Sequence, residues 1–382
     1  MLSTRCVTAV LMACVVMSLP PQLTMAASTH AESNPHAEVL AIGAKVADWQ
    51  LRHLDNFGYI PAKEFRRETA APRDWVQAAF YIGLAAFADV TQNIRYEDAI
   101  LAHGKAEAWS FDKNLRHADS DATGAVWIWA AQRTHDKTKL APIKARFDAV
   151  LANPSTVSLE FRENDTRCQE RWCWCDTLFM APPTWIALSR ASGDGRYLAH
   201  ADQEFWATTD YLYDNGEHLF YRDSRYFTQR DPAGHKIFWS RGNGWVFAGL
   251  ARILAELPPD HPSRPRYETL FKQMAARLLA LQGPQGYWPV SLLEPQKTPE
   301  TSGTGFFVYG LAWGIHHGLL NSADYRHAAE RGWHALVAAV APDGKLGWVQ
   351  SVGAAPDRVG PDDTQLYGVG AFLLAASEMS AM

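Results

Sequence analysis

The chain has 382 residues, of which 20% are charged, and a formal net charge of -5 at pH 7. Lysine and arginine are scattered without a basic stripe, which disfavours nucleic acid as a partner. The length would allow two domains, but no low-complexity linker interrupts the sequence, so a single compact domain is favoured.

The first 26 residues are typical of an export signal. Arg5 supplies a positive charge, an apolar segment covers residues 6–19, and Thr24-Met25-Ala26 forms a small-x-small cleavage site. The apolar segment is too short to span a membrane comfortably, and no membrane span is predicted. We therefore expect cleavage after Ala26, a mature domain over residues 27–382, and a protein that is periplasmic or secreted.

The cysteines fall into two groups. Cys6 and Cys14 lie within the predicted signal; Cys14 also ends a faint lipoprotein pattern, but apolar sequence continues past it. The mature chain would carry Cys168, Cys173 and Cys175 in an oxidising compartment, so one disulfide is expected, from Cys168 to Cys173 or Cys175. A zinc site is disfavoured, because Cys-x4-Cys-x-Cys lacks the usual spacing and an obvious fourth ligand.

Six similar segments recur along the mature chain. Each is a helix that is apolar nearly all round, as expected of a helix buried on both sides. They cover residues 74–89, 121–134, 176–191, 242–255, 303–317 and 362–377. Their starts are about 50 to 65 residues apart, and periods of this order indicate repeated supersecondary units.

More amphipathic helices, several of them opened by a tyrosine, are predicted between the apolar segments. Two further helices, over residues 36–51 and 137–151, bring the count to six inner and six outer helices. The fold predicted is an all-α, single-domain (α/α)6 toroid. An open solenoid is the alternative, but the last segment is of the buried type and lacks the polar face of a capping repeat.

Turn-rich stretches before several inner helices contain hydrophobic residues that predict pairs of short strands, over residues 216–221, 283–288 and 342–348. These stretches bring the chain to the pole of the toroid where every inner helix begins. Free N–H groups and the positive ends of helix dipoles should attract an anionic group there, and a carboxylated substrate fits.

Unusual polar residues are concentrated at the same pole. They are Arg73, Asp74, Asp119, Asp121, Asp176, Arg241, Asn243, residues 301–304 and residues 362–364. Neither a serine nucleophile elbow nor a phosphate-binding loop is present, which disfavours acyl-serine and phosphate chemistry. Carboxylates and aromatic rings around a concave end are typical of glycosidic chemistry.

Two short strings carry the strongest chemical signals. In Trp172-Cys173-Trp174-Cys175-Asp176, apolar surroundings would raise the carboxyl pKa of Asp176 toward the range of a catalytic acid, although Asp176 could equally be the N-cap of its helix. In Arg241-Gly242-Asn243-Gly244-Trp245, the cation could clamp a carboxylate and the ring could stack on a sugar. The alternative for the second string is a tight turn with a buried ion pair.

Three ordered motifs resemble glycoside hydrolase family 105, which is related to family 88. They are Trp174-Cys175-Asp176-Thr177-Leu178-Phe179-Met180-Ala181-Pro182-Pro183, Phe238-Trp239-Ser240-Arg241-Gly242-Asn243-Gly244-Trp245 and Pro299-Glu300-Thr301-Ser302-Gly303-Thr304-Gly305-Phe306-Phe307. The resemblance covers nearly the whole mature chain and implies the (α/α)6 fold. It further implies a hydrolase that removes a 4,5-unsaturated uronic acid from the non-reducing end of oligosaccharides made by polysaccharide lyases, without a metal or organic cofactor.

The resemblance also implies a mechanism, in which an acid protonates C4 of the vinyl ether, water adds at C5, and the hemiketal collapses to release the sugar. Asp176 is implied as that acid and as the base that activates water. For a second acid, Asp119 is preferred over Asp121, and either could instead be a helix cap.

Further residues are implied as substrate-binding. Arg241 would bind the uronate carboxylate or hydroxyls, Trp174 and Trp245 would line the subsite, and Trp172 and Asn243 are additional candidates. The sequence leaves open the polysaccharide (pectin rhamnogalacturonan, or an ulvan or arabinogalactan type) and the oligomeric state. A polysaccharide lyase on the same toroid and a non-catalytic protein that binds acidic sugars are the alternative functions.

Overall fold

The computed structural model describes residues 1–2, 9, 34–62, 64–294 and 298–382. The chain divides into two units, Met1–Ser33 and Asn34–Met382. The predicted export signal lies almost entirely outside the described residues and stays a prediction. Within the described part of the chain, no helix is both long and apolar enough to cross a membrane.

Twelve long helices in the described part of the second unit alternate between an outer and an inner layer. In chain order, beginning with an outer helix, they are α1 (Pro35–Leu51), α2 (Trp75–Thr91), α3 (Ile94–Ala106), α4 (Ala118–Arg133), α5 (Ala141–Ala152), α6 (Pro182–Ser192), α7 (Gly195–Leu212), α8 (Ser240–Glu256), α9 (Arg264–Leu281), α10 (Thr301–His316), α11 (Ala323–Ala338) and α12 (Leu366–Met379). The predicted alternation of six inner and six outer helices is confirmed.

The inner helices, which are the even-numbered ones, form a closed ring. Each packs on the next inner helix along the chain, and α12 packs back on α2. Closure requires glycine at this last contact: a Cβ on Gly83 would lie 2.2 Å from the carbonyl oxygen of Gly370, and a Cβ on Gly370 would lie 2.1 Å from that of Ala79. The (α/α)6 toroid is therefore confirmed, and the open solenoid is excluded.

The inner and outer helices are buried to different extents, as their hydrophobic patterns predict. In α12, thirteen of fourteen residues are buried, because both flanking inner helices and the outer layer cover it. In the outer helix α9, the buried residues recur at helical spacing along one face: Tyr267, Leu270, Phe271, Met274, Ala275 and Leu278. Each large side chain buried in this way contributes roughly 1.5–3 kcal/mol to folding.

Only one of the three predicted strand pairs forms a ladder. Strand β1 (Tyr213–Asp214) pairs antiparallel with β2 (Leu219–Phe220). The third stretch has a single bridge between Val340 and Leu346, and the second has none within it, the nearest bridge lying at Pro289. The prediction of strands at those two places is wrong, since proline lacks the N–H that a ladder requires and tight turns leave no room for more pairs.

Candidate active site

A cleft of about 300 Å³ lies at the pole where the inner helices begin, as predicted. Acidic, aromatic and cationic side chains line it. They include Glu68, Asp74, Trp75, Asp112, His117, Asp119, Trp174 and Arg222. Among the described residues, no group of His, Cys, Asp and Glu is arranged to hold a metal ion. The side chains that line the cleft thus offer carboxyl groups, an imidazole and one guanidinium beside aromatic rings.

Asp176 lies next to Arg222 at the N-cap position of a short helix, Thr177–Met180, that precedes α6. Its side chain makes no capping hydrogen bond and is 12% exposed. Burial raises the pKa of Asp176, and the positive charges of Arg222 and Arg241 oppose that rise. The predicted capping role is therefore not observed, and the carboxyl is available to hold a proton for chemistry.

Two contacts fix the position of Asp176. The Cys175 thiol donates to Oδ2 over 3.4 Å, and the Nε atom of Arg222 lies 3.9 Å from the same oxygen. The backbone N–H of Cys175 also donates to the carbonyl oxygen of Arg222 at 2.8 Å, which ties the two segments together. A disulfide joins Cys168 to Cys173, and Cys175 is free and buried, which selects one of the two predicted pairings.

Asp119 faces the cleft from the first turn of α4. Its side chain is 24% exposed. Burial, and then repulsion from the Asp176 carboxylate, raise the pKa of Asp119 to about 8. Since α4 begins at Ala118 with His117 as its N-cap residue, Asp119 is not the helix cap. The structure thus brings Asp119 and Asp176 into electrostatic contact.

Asp121 points away from the cleft, toward the outer layer. Its Oδ1 accepts from Nε of Arg146 on α5 at 3.0 Å, and its Oδ2 accepts from Nε1 of Trp185 on α6 at 2.9 Å. With its side chain only 7% exposed, Asp121 joins three helices in a buried ion pair. Of the two acids proposed from the sequence, Asp121 therefore has a structural role.

We expect Asp121→Asn to lower the free energy of unfolding by about 3 kcal/mol. Removing one partner of a buried ion pair leaves the other charge, here the Arg146 guanidinium, with only the more distant Asp112 carboxylate at 4.0 Å. Denaturant unfolding of wild type and variant at pH 7 measures the difference.

Asp119→Asn serves as a control, because it should change the stability in the opposite direction. Because the folded pKa of Asp119 is raised to about 8, its contribution to stability is complete only below its ordinary pKa of about 4 and is lost as pH rises through the folded value. The melting temperature of the variant should therefore exceed that of wild type by a larger margin at pH 9 than at pH 5. Equal melting behaviour of the two variants at both pH values would contradict the distinct roles of Asp119 and Asp121.

The three tryptophans proposed from the sequence occupy different places. Trp174 lines the cleft, with its ring centroid 5.0 Å from that of His117. Trp172 lines a separate small cavity, where its ring meets that of His200 edge-on. Trp245 is fully buried among other rings of the toroid core. Of the three, Trp174 is thus the one placed to contact a substrate in the cleft.

Arg241 is not available as a free clamp. Its guanidinium is 1% exposed and is sandwiched between the rings of Trp239 and Tyr367, at 4.3 and 4.7 Å. Nη1 and Nη2 donate to the carbonyl oxygens of Gln350 and Ser351 at 2.7 and 2.9 Å. Arg241 therefore anchors the loop before α12, because it donates to two consecutive carbonyl groups of that loop.

Asn243 is likewise structural. Its Oδ1 accepts from the N–H of Phe220 at 2.8 Å, and its Nδ2 donates to the carbonyl oxygens of Phe220 and Trp239 at 3.0 and 3.1 Å. The amide thus extends the pairing of β2 and has no group left for a sugar. The residues around it form the first turn of α8 and not the tight turn considered from the sequence.

Arg222 is the cation that sequence reasoning missed. It follows β2 and lines the cleft, and its side chain is 14% exposed. Nη1 donates to Oδ2 of Asp223 at 2.7 Å, while Nε has no hydrogen-bond partner among the described residues. A nearly buried guanidinium with an unused donor is suited to bind an anion. The only sequence signal was an Arg-Asp pair after a short strand, which is common.

Trp75 and Asp74 also line the cleft and were not proposed as site residues. The Trp75 ring stacks on Tyr367, with centroids 5.1 Å apart. Asp74 is the N-cap residue of α2 but makes no capping bond, and its buried Oδ1 has no hydrogen-bond partner among the described residues. Burial, followed by the charge of Asp119, raises the pKa of Asp74 to about 7. The cleft therefore holds several carboxyls that share protons near neutral pH.

Comparison with known proteins gives a consistent family. The model of Glycosyl Hydrolase Family 88 matches residues 43–382. A protein from Alteromonas sp. (strain LOR), named unsaturated 3S-rhamnoglycuronyl hydrolase, is 42% identical over 350 residues, covering 88% of this chain and 84% of that protein. One of the same name from Formosa agariphila is 36% identical over 356 residues, covering 90% and 91%.

Solved structures resemble the chain over nearly its whole length. A glycosyl hydrolase family 88 protein from Bacteroides vulgatus has a TM-score of 0.78 and 28% identity, covering 91% of this chain and 99% of that one. A structure described as a polysaccharide lyase has a TM-score of 0.78 and 29% identity, covering 91% and 98%. The fold is thus shared, while the names given to these relatives include two reaction classes.

Proposed function

Since the chain belongs to glycosyl hydrolase family 88, we propose that it removes a 4,5-unsaturated glucuronate that is linked to rhamnose in an oligosaccharide. The chain is a glycoside hydrolase, and the names of its two relatives favour the rhamnose-linked substrate. The observation that carries the proposal is the coupled pair Asp119 and Asp176 beside the unused donor of Arg222. An exported location is part of the proposal, and the Cys168–Cys173 disulfide supports it.

The substrate is a vinyl ether, so the first step is protonation of C4. Asp176 donates this proton, because burial raises the pKa of its carboxyl and so favours the protonated form. Positive charge then develops at C5 and the ring oxygen. Water adds at C5 and gives its proton to the Asp176 carboxylate, which restores the acid, and the resulting hemiketal collapses to release the remaining sugar.

Arg222 binds the uronate carboxylate, which is attached to C5. Because Nε of Arg222 lies 3.9 Å from Asp176, this contact places C4 and C5 next to the acid. Binding of the carboxylate to Arg222 also changes the pKa of Asp176. The positive charge of Arg222 holds down the pKa of Asp176 in the free enzyme, and the bound carboxylate neutralises that charge. Asp176 therefore becomes more strongly protonated when substrate is present.

Asp119 acts as the partner of Asp176. With a pKa raised to about 8, it is protonated at neutral pH and donates a hydrogen bond to a sugar hydroxyl or to the attacking water. Trp174 and Trp75 supply the rings that contact the sugar faces. These groups are partly buried, so a sugar bound among them would displace water from the atoms at which positive charge develops.

The test is a set of unsaturated disaccharides with an identical uronate and different neighbours: rhamnose, sulfated rhamnose and N-acetylglucosamine. Loss of the absorbance of the conjugated double bond measures turnover. We expect kcat/KM for the rhamnose-linked compounds to be at least about tenfold higher than for the third, because one or two neighbour contacts are worth roughly that factor. Absence of turnover on every compound would refute the proposal.

A lyase is the second candidate, since one structural relative is described as such. It would require a neutral base, and His117 lines the cleft with a pKa that burial lowers. The same assay separates the two functions: incubation with an intact uronate-containing polysaccharide would increase the absorbance if the protein were a lyase, whereas a hydrolase leaves the polymer unchanged.

A further inference from the structure

A second cavity, here called the axial cavity, lies at the pole opposite the catalytic cleft. Its volume is about 230 Å³, and residues from all six inner helices line it. Some of its polar residues belong to the last turns of α2, α4 and α8, whereas the cleft lies at the first turns of the inner helices. The polar residues are Asp89, Trp129, Gln132, Arg252, Glu256 and Tyr309.

Aromatic rings separate the axial cavity from the cleft. Trp75, which lines the cleft, meets Trp245 edge-on at 6.2 Å, and Trp245 packs on Phe179 at 4.7 Å. On the far side of Phe179, the Arg252 guanidinium lies 4.5 Å from the ring centroid. The axial cavity is therefore a distinct site on the same axis.

Arg252 carries a charge that no carboxylate of the described residues balances by a direct salt bridge. Its Nη1 donates to the carbonyl oxygen of Phe179 at 3.0 Å, and no acidic oxygen of the described residues forms a salt bridge with it. Burial lowers the pKa of Arg252 to about 10, so the group stays charged at neutral pH. A nearly enclosed cation with spare donors favours an anionic partner.

The carboxylates at the cavity wall are already engaged elsewhere. Both oxygens of Asp89 accept from Nε1 of Trp129, at 3.1 and 3.0 Å, and Glu256 pairs with Arg190 at 3.2 Å. The charge of Glu256 still raises the pKa of Arg252, but neither carboxylate forms a direct salt bridge with Arg252 among the described residues.

Tyr309 supplies a second unused donor. Its hydroxyl lines the axial cavity and has no hydrogen-bond partner among the described residues. The Gln132 amide and the indole of Trp129 line the same wall. A guanidinium, a phenol, an amide and an indole around one small volume are the groups that bind a carboxylated sugar: the first pairs with the carboxylate, and the others contact hydroxyls and the ring face.

We propose that the axial cavity binds a small carboxylated sugar of monosaccharide size. Arg252 pairs with its carboxylate, Tyr309 and Gln132 bind its hydroxyls, and Trp129 contacts its ring. The volume of about 230 Å³ admits one such molecule. This site is independent of the proposed reaction in the cleft.

Calorimetric titration with D-glucuronate tests the proposal. Arg222→Met serves as the starting protein, because it removes the guanidinium of the cleft and leaves the axial cavity intact. We expect this protein to bind D-glucuronate, and Arg252→Gln in the same background to bind at least about tenfold more weakly, as expected for loss of a charge-assisted pair. D-Glucose lacks the carboxylate, and acetate lacks the sugar ring and its hydroxyls. Each should bind at least about tenfold more weakly than D-glucuronate.

Tyr309→Phe is the second variant, because it keeps the ring and removes only the hydroxyl; it should weaken D-glucuronate binding at least about threefold, near the low end of a lost hydrogen bond. If Arg252→Gln fails to fold, the affinity of Tyr309→Phe decides the test. Unchanged affinity in both variants overturns the proposal. Acetate that binds as tightly as D-glucuronate, or glucose that does so, overturns the assignment of a carboxylated sugar.

Discussion

Asp176→Asn is expected to lower kcat on an unsaturated disaccharide by about 10³-fold or more and to leave substrate binding nearly unchanged. Asparagine has the same shape but cannot give a proton to C4, and general acid catalysis contributes typically 10²–10⁴-fold. No capping bond is lost, because the Asp176 side chain makes none. Turnover is followed by absorbance, binding by calorimetry, and folding by the melting temperature.

Asp121→Asn is the matched control for this change. It removes the charge of another carboxyl near the same pole, but one that contacts Arg146 and Trp185 instead of the cleft. Its kcat should stay within a few-fold of wild type although its stability falls. Wild-type turnover in Asp176→Asn would sink the proposed mechanism and move the role of the acid to another carboxyl of the cleft.

Arg222→Met is expected to lower kcat/KM by about 10²-fold. A hydrogen bond to a charged group is worth roughly 1.5–3 kcal/mol, and the larger value corresponds to this factor. Most of the loss should appear in KM, because the carboxylate is present in the ground state. The pH profile should change as well: without the positive charge of Arg222 the pKa of Asp176 rises, so the alkaline limb of kcat moves to higher pH.

Arg225→Met distinguishes this effect from a loss of local structure. Arg225 donates to both oxygens of the buried Asp223, at 2.9 Å each, and so shares the partner of Arg222 without lining the cleft. Its kcat/KM should stay close to the wild-type value. Equal losses in the two variants would mean that Arg222 acts only through Asp223 and not through the substrate.

Much of the fold follows from the sequence because burial on both sides leaves a recognisable pattern. The inner helix α12, buried in thirteen of fourteen positions, is apolar all round, and α9 shows the single apolar face of an outer helix. The lack of a strand pair at residues 283–288 was not predictable in this way. Turn composition and hydrophobic residues mark a loop, but they do not say whether two segments approach closely enough to pair.

The site was predicted in part. Trp174 lines the cleft, and Asp176 lies beside the Arg222 guanidinium that lines it. Side chains two residues apart on a helix point about 200° apart, so only one of Asp119 and Asp121 could face the axis. The local sequence did not show which of the two guanidinium groups, that of Arg222 or that of Arg241, keeps an unused hydrogen-bond donor. Arg241 donates to carbonyl groups of Gln350 and Ser351, which lie over a hundred residues away in the sequence. Arg222 pairs with the adjacent residue, and its Nε has no hydrogen-bond partner among the described residues.

The closed ring has a consequence for chain connectivity. The first and last helices of the second unit pack together, and a hydrogen bond joins the His36 ring to the carbonyl oxygen of Ser380. A short linker could therefore join the end of α12 to the start of α1, and the chain could be opened instead in a turn between two later hairpins. Every helix would keep its neighbours in such a circular permutant, because a ring has no first or last member.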